Sequence, residues 1–250
     1  MVARMKVSEI FKSIQGEGLY MGVPTLFVRM YGCNLACPWC DTKYALSGDF
    51  KARCYRELIA DIYSVARPPI VVCFTGGEPM IQQRLLDQTI KLLKTRGYDI
   101  HIETNGTIPP RKGLIRDVDF WTISPKLHED FSKSFVKSKV SYLGSVKRLC
   151  QLDTPKQLKF VVAKKEETRY ILDFVDSLML TADQRKSLPI VIQPERYSFS
   201  QSKTSFGDER DVYLDNMPEL VGWCEESLQS LNWRVLPQLH YLLYKGIRGV

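Results

Sequence analysis

Apolar residues fall in short dense runs separated by longer stretches of mixed polarity. Thr25-Leu26-Phe27-Val28-Arg29-Met30-Tyr31 is rich in β-branched and aromatic side chains and predicts a buried strand. Its alternation puts Phe27, Arg29 and Tyr31 on one face and Leu26, Val28 and Met30 on the other. Upstream, residues 6–20 begin extended and end in Gln15-Gly16-Glu17-Gly18, a turn whose glycines let backbone approach another group closely. Helical spacing over 55–65 (Leu58, Ile59, Ile62, Val65) stops at Pro68-Pro69, and a strand follows at 70–74. Further strands are predicted at 99–104, 118–124, 157–163 and 189–193, with helices over 80–95, 166–179 and 216–230, the last leading to Trp233-Arg234-Val235-Leu236. Residues 127–155 are polar, lysine-rich and weakly periodic, and 196–213 are polar and Ser-rich. Both are expected to be surface insertions in a single domain spanning 1–250.

Alternating strands and helices with all-apolar strands predict an α/β fold, either an open parallel sheet or a partial barrel. In both, ligands gather at the C-terminal ends of the strands. Cys33–Thr42, Thr75–Pro79, Asn105-Gly106, Ser124-Pro125-Lys126 and Gln193-Pro194-Glu195 all fall at such ends. Five polar loops at one mouth predict one active site.

The 250 residues suffice for a full core, and 44% hydrophobic with 25% charged residues is the balance of a soluble globular protein. No run is long enough to span a membrane and the N-terminus has no apolar signal segment, so a cytoplasmic location is expected. A net charge of +7 favours anionic partners: acidic substrates, cofactors or RNA.

The seven cysteines change the picture most. Cys54, Cys73, Cys150 and Cys224 are scattered and read as reduced, mostly buried side chains. Cys33, Cys37 and Cys40 instead form C-x₃-C-x₂-C with no histidine nearby. A structural zinc site wants a second ligand pair, and a redox C-x-x-C leaves Cys33 unexplained. The reading left is an iron–sulfur cluster held by three thiolates, with one iron open to an outside ligand.

Cys33, Cys37, Trp39 and Cys40 resemble the radical S-adenosylmethionine superfamily motif, with its aromatic before the last cysteine. Thr75-Gly76-Gly77-Glu78-Pro79 resembles its GGEP loop. Further pieces are Phe11 to Gly18, Arg29, Cys40-Asp41-Thr42, Glu103 to Thr107, Ser124-Pro125-Lys126, Gln193-Pro194 and Leu236 to His240. Together they resemble the 7-carboxy-7-deazaguanine synthase family of that superfamily.

The resemblance implies a partial (β/α) TIM-like barrel, a homodimer, and a lyase that turns 6-carboxy-5,6,7,8-tetrahydropterin into 7-carboxy-7-deazaguanine, losing ammonia, in queuosine or archaeosine biosynthesis. Its cofactors would be a 4Fe–4S cluster on Cys33, Cys37 and Cys40, S-adenosylmethionine, and Mg²⁺ on Thr42. An electron donor of flavodoxin or ferredoxin type would reduce the cluster; no nucleic acid is required. Trp39, Cys40, Asp41, Gly77, Glu78, Ser124, Pro125, Lys126, Gln193, Pro194, Glu195 and Arg196 would contact S-adenosylmethionine. Ile14, Gln15, Gly16, Arg29 and Thr75 would contact the pterin, with Arg29 taking its carboxylate. No side chain is singled out as catalytic, because the cofactor supplies the radical. Glu103 could hold a ribose hydroxyl or an arginine, and His240 could be a ligand contact or a packed ring. Two further functions share some features: an activating enzyme for a glycyl-radical protein, which uses the same cysteine spacing, and a metal-containing RNA-binding module, which the basic charge would suit.

Overall fold

The computed structural model describes residues 3–127, 139–200, 208–245, 247 and 249. Its strands are β1 (Met5–Ile14), β2 (Pro24–Met30), β3 (Lys51–Arg53), β4 (Val71–Gly76), β5 (Asp99–Thr104), β6 (Phe120–Ile123), β7 (Lys156–Val162), β8 (Ile190–Pro194) and β9 (Trp233–Val235). They form one sheet in the order β3-β1-β2-β4-β5-β6-β7-β8-β9. From β2 through β9 every neighbouring pair is parallel, while β1 pairs antiparallel with β2 and β3. The sheet does not close, which is the partial barrel expected. The antiparallel β1–β3 edge was not legible, because hairpin-like pairing leaves no period that a parallel strand lacks.

Period-two alternation sorts each parallel strand into two rows. One row, including Leu26, Val28, Met30, Val72, Phe74, Ile100, Ile102, Trp121, Leu158, Phe160, Ile190 and Ile192, is buried in a single apolar cluster. Helices cover it with Leu58 and Ile62 from Tyr55–Val65, Leu86, Ile90 and Leu93 from Gln83–Lys94, and Ile171 and Val175 from Glu166–Ser177. Each fully buried aliphatic contributes about 1.5–3 kcal/mol, so this layer holds the barrel wall.

Residues 139–150, expected within a surface excursion, form helix Lys139–Cys150 instead, with Ser145, Val146, Leu149 and Cys150 buried. Its lysines and Gly144 blur the apolar stripe that marks it. The rest of that predicted excursion from 128 to 138 lies outside the described residues, as does 201–207 of the second one. The flanks of the second are helical, at Arg196–Phe199 and Glu209–Asp215. The predicted helix over 216–230 is Met217–Ser227, with Pro218 in its first turn.

The opposite row faces the barrel interior and is layered. Phe27, Cys73, His101 and Phe120 are register neighbours across four strands. Phe11 stacks on Phe27 at 5.2 Å, and Tyr20 meets His101 at 4.4 Å and Phe120 at 4.6 Å. Burial pushes His101 down to about 4, so it packs there as a neutral ring. Above this aromatic floor the next register row is polar: Arg29 beside Thr75, and Glu103, Thr122 and Gln157 in succession. A polar belt over an aromatic floor, at the C-terminal ends of parallel strands, sets the place of the site.

Candidate active site

The cysteine loop leaves β2 and is stitched to the loop after β4. Gly77 N–H donates to Met30 O at 3.0 Å and Glu78 N–H to Gly32 O at 2.8 Å. A Cβ on Gly77 would lie 2.0 Å from Gly32 O, and one on Gly76 would lie 2.4 Å from Met30 N and O. Gly76 also has φ of 119°, which disfavours any side chain. The two glycines are therefore required by backbone-on-backbone packing next to the cysteines.

Glu78 is fully buried. Its carboxylate accepts Met80 N–H at 2.9 Å, Thr104 Oγ1–H at 2.8 Å and Asn105 N–H at 2.7 Å. Burial pushes it up to about 7, against the pull of those donors and of Lys126. Its side chain ties the loop to β5, so what the loop presents outward is backbone. Asn105 continues the tie: its Nδ2 donates to Asn34 Oδ1 at 3.0 Å and lies 3.9 Å from Cys33 Sγ, while Thr107 N–H returns to Asn105 Oδ1 at 2.9 Å.

Cys33, Cys37 and Cys40 are free thiols, each half-buried. Burial raises Cys33, and raises Cys37 to about 11. Among the described residues no three His, Cys, Asp or Glu side chains gather at one metal-ion position. Thiolates of an iron–sulfur cluster each bind a separate iron, so three of them need not meet at one ion position. Thr42 Oγ1–H donates to Asp41 Oδ1 at 3.0 Å and sits 3.7 Å from Cys40 Sγ. Trp39 is half-buried and Asp41 is exposed on the same loop.

The polar belt lies across from this loop. Arg29 is 16% exposed at its side chain, so it is not at a solvent edge, and its Nε–H donates to Glu9 Oε1 at 2.7 Å. Tyr44 O–H donates to the same oxygen at 2.8 Å. The guanidinium carbon stands 5.7 Å from the Phe11 ring centre and 5.8 Å from that of Tyr44. Burial would lower its pKa, but Tyr44, Glu9 and Asp41 outweigh that and keep it charged. Glu9 is an anion the sequence did not point to; it fixes the guanidinium by Nε.

Gln15 is buried and fully engaged. Its N–H donates to Val23 O at 2.8 Å and its carbonyl accepts Gly22 N–H at 2.7 Å. Its amide donates to Glu103 Oε1 at 3.0 Å and accepts Glu17 N–H at 3.1 Å. Thr75 O–H donates to Glu103 Oε2 at 2.8 Å. Glu103 thus holds two predicted pterin contacts, rather than an arginine. Gly16 O accepts Leu239 N–H at 2.9 Å, and a Cβ there would meet His240 Nδ1 at 2.3 Å, so His240 packs on the turn. Ile14 ends β1 opposite Pro24.

The far wall carries the remaining predicted contacts. Ser124 N–H donates to Thr104 O at 2.8 Å, Pro125 is buried, and Lys126 Nζ donates to Ser124 Oγ at 2.8 Å. Burial, then the charge of Lys159, lowers Lys126. Gln193 is buried; its Nε2 donates to Pro237 O at 3.2 Å and its Oε1 has no partner among the described residues. Pro194 is buried. Glu195 is occupied as a cap, accepting Tyr197 and Ser198 N–H, and Arg196 lies over the Tyr241 ring at 4.4 Å.

Residues 27–120 match the Radical SAM superfamily. The 7-carboxy-7-deazaguanine synthase of Thermoplasma acidophilum is 33% identical over 247 residues, covering 98% of this chain and 100% of that one. The one from Aquifex aeolicus is 37% identical over 94% of this chain and 91% of its own. The chain belongs to the 7-carboxy-7-deazaguanine synthase family. The crystal structure of QueE from Escherichia coli agrees, with a TM-score of 0.66, 25% identity and 95% of each chain covered. Streptococcus suis SuiB bound to S-adenosylmethionine, at 15% identity and TM-score 0.54 over 87% of this chain and 51% of that one, shares the fold alone.

Membership in the 7-carboxy-7-deazaguanine synthase family brings a 4Fe–4S cluster and S-adenosylmethionine as cofactors, and the residues fit them. Three thiols within eight residues, and a buried Gln193 Oε1 with no partner among the described residues, all stand at the strand ends. Residues that sequence reading did not place in the site are Glu9, Glu17, Gln157, Lys159 and Gln238. A signal existed for two of them. Gln157 and Lys159 alternate with Leu158, Phe160 and Val162, so two polar side chains share the inward face of an otherwise apolar strand.

Proposed function

We propose that this chain converts 6-carboxy-5,6,7,8-tetrahydropterin to 7-carboxy-7-deazaguanine with loss of ammonia, a radical S-adenosylmethionine lyase step in 7-deazaguanine biosynthesis. The observation that carries the reading is Arg29. Glu9 fixes its Nε and two rings flank it, while no hydrogen-bond partner is recorded for its terminal nitrogens among the described residues. A guanidinium held this way presents a planar fork suited to a carboxylate.

Cys33, Cys37 and Cys40 would hold the cluster, which would supply one-electron reduction to S-adenosylmethionine. The chain's own residues do the rest of the positioning. Gly77 backbone, Ser124, Pro125, Lys126, Gln193 and the Trp39–Asp41 segment hold the cofactor, with Pro194, Glu195 and Arg196 shaping that wall. Glu78 acts by fixing the loop. Ile14, Gln15, Gly16 and Thr75 form the pterin side, and Arg29 orients the carboxylate. Thr42, with Asp41 beside it, would offer an oxygen to Mg²⁺, which would balance negative charge on the substrate.

We also assign a flavodoxin- or ferredoxin-type electron donor, a homodimer and a cytoplasmic location. The free cysteines and an oxidisable cluster support a reducing compartment. Among the described residues no helix is long and apolar enough to cross a membrane. Anaerobically reconstituted protein given S-adenosylmethionine, reductant, Mg²⁺ and carboxytetrahydropterin should yield carboxydeazaguanine and ammonia by mass spectrometry. No product from protein with a full cluster would reject the reading.

A further inference from the structure

Inside the barrel Lys159 projects from the inward row of β7 and pairs with Glu17. The two side chains are 9% and 14% exposed. Glu17 also accepts Gln238 Nε2–H at 2.8 Å, so one carboxylate joins the β1–β2 turn, the barrel wall and the C-terminal segment. The neighbouring residue on the wall, Gln157, accepts Leu19 N–H at 2.9 Å and donates to Thr122 Oγ1 at 2.9 Å. Gly18, at φ 71°, lies so close to Gln157 that a Cβ would come within 2.1 Å of its amide. The Gln15–Leu19 turn is thus docked on three elements beyond its own hairpin: β5 through Glu103, β7 through Gln157 and Lys159, and the C-terminal segment through Gln238 and Leu239.

A buried ion pair is a poor device for stability alone, because desolvating two charges offsets most of their attraction and an apolar pair of like volume packs as well. It is a good device for fixing one geometry, since any movement of Glu17 strands a buried ammonium. We infer that Lys159, acting through Glu17, is a positioning residue for the substrate: the pair holds the Gln15–Leu19 turn in the conformation that receives the pterin. The inference rests on the proposed activity, because that activity makes the turn a substrate contact. The charge state supports it. Burial would raise Glu17, but Lys159, His240 and the bonds from Lys159 and Gln238 outweigh it and hold the carboxyl at about 2. Burial would lower Lys159, but Glu17 and Glu103 outweigh it and raise it. The pair stays ionised throughout the working pH range.

The test uses cluster-loaded Lys159→Met, Lys159→Arg and Glu17→Gln, with the double variant Glu17→Gln/Lys159→Met. Hydrogen exchange of the 15–22 amides is read without substrate, and KM and kcat are read for each ligand. Lys159→Met should raise the pterin KM about tenfold or more while the S-adenosylmethionine KM stays within about twofold. The Gln15 and Gly22 amides should exchange faster, Lys159→Arg should recover part of both effects, and the double variant should be no worse than the poorer single one. Wild-type pterin KM and wild-type exchange in Lys159→Met would overturn the inference. So would equal rises in both KM values, which mark a general loss of structure. Should Lys159→Met not fold, Glu17→Gln and Lys159→Arg decide the matter by the same readouts. A wild-type protein that does not turn over the pterin rejects the activity and, with it, the role in substrate binding; exchange then reports only whether the pair fixes the turn.

Discussion

Arg29→Lys is the sharpest perturbation of the proposed substrate site. The guanidinium reaches Glu9 with Nε at 2.7 Å between Phe11 and Tyr44, and among the described residues its two terminal nitrogens have no hydrogen-bond partner, which leaves them for the proposed carboxylate. A lysine keeps the charge but has a single ammonium. It cannot stay on Glu9 and also offer two parallel donors. The variant therefore loses at least one charge-assisted bond to the substrate carboxylate, about 1.5–3 kcal/mol. At 1.4 kcal/mol per decade this is a rise of about 10- to 150-fold in KM. The assay is anaerobic steady-state turnover, with a tetrahydropterin lacking the 6-carboxylate as competitive inhibitor. That analogue should bind wild type and Arg29→Lys equally, because the lost bond is one it never makes. A KM within twofold of wild type, or equal losses for substrate and analogue, would refute the carboxylate assignment.

Three other outcomes follow from the geometry. Gly77→Ala drives a methyl into Gly32 O, so it should destabilise the protein by about 2 kcal/mol or more in denaturant titration of the cluster-free form and abolish S-adenosylmethionine binding. Ala at Cys33, Cys37 or Cys40 should remove the cluster by iron and sulfide analysis, while Cys54→Ala, which stands at the start of helix Tyr55–Val65, should leave iron content unchanged. For Glu17 the folded pKa of about 2 lies below the ordinary 4.5. Its contribution to stability is therefore fully present above about pH 4.5 and is lost as pH falls toward 2, and Glu17→Gln should flatten the acid limb of a stability–pH profile over that window.

The wall of the barrel was legible because burial writes a plain pattern. Leu26, Val28 and Met30 alternate with Phe27 and Arg29, and the structure places the first set under helices and the second inside. The cysteine and Gly-Gly-Glu-Pro loops were legible because their residues are close in sequence. Glu9, Glu17 and Gln238 were not, since each becomes a partner only through contacts between distant segments: Glu17 meets a lysine 142 positions away. Glu78 shows a different limit. A glutamate beside two glycines suggests a ligand contact, yet its carboxylate meets three donors of the protein itself. Helix Lys139–Cys150 was hidden because Gly144 and its lysines interrupt the apolar stripe of Tyr142, Val146, Leu149 and Cys150 that meets the core.

The most direct test of the account is to count carboxydeazaguanine formed per S-adenosylmethionine supplied, in anaerobic reactions with cluster-loaded protein, Mg²⁺ and excess carboxytetrahydropterin. Because the family resemblance implies that S-adenosylmethionine is regenerated in each cycle, more than one product per cofactor molecule is expected, with ammonia released in equal amount. Steady accumulation of 5′-deoxyadenosine with no carboxydeazaguanine would contradict it.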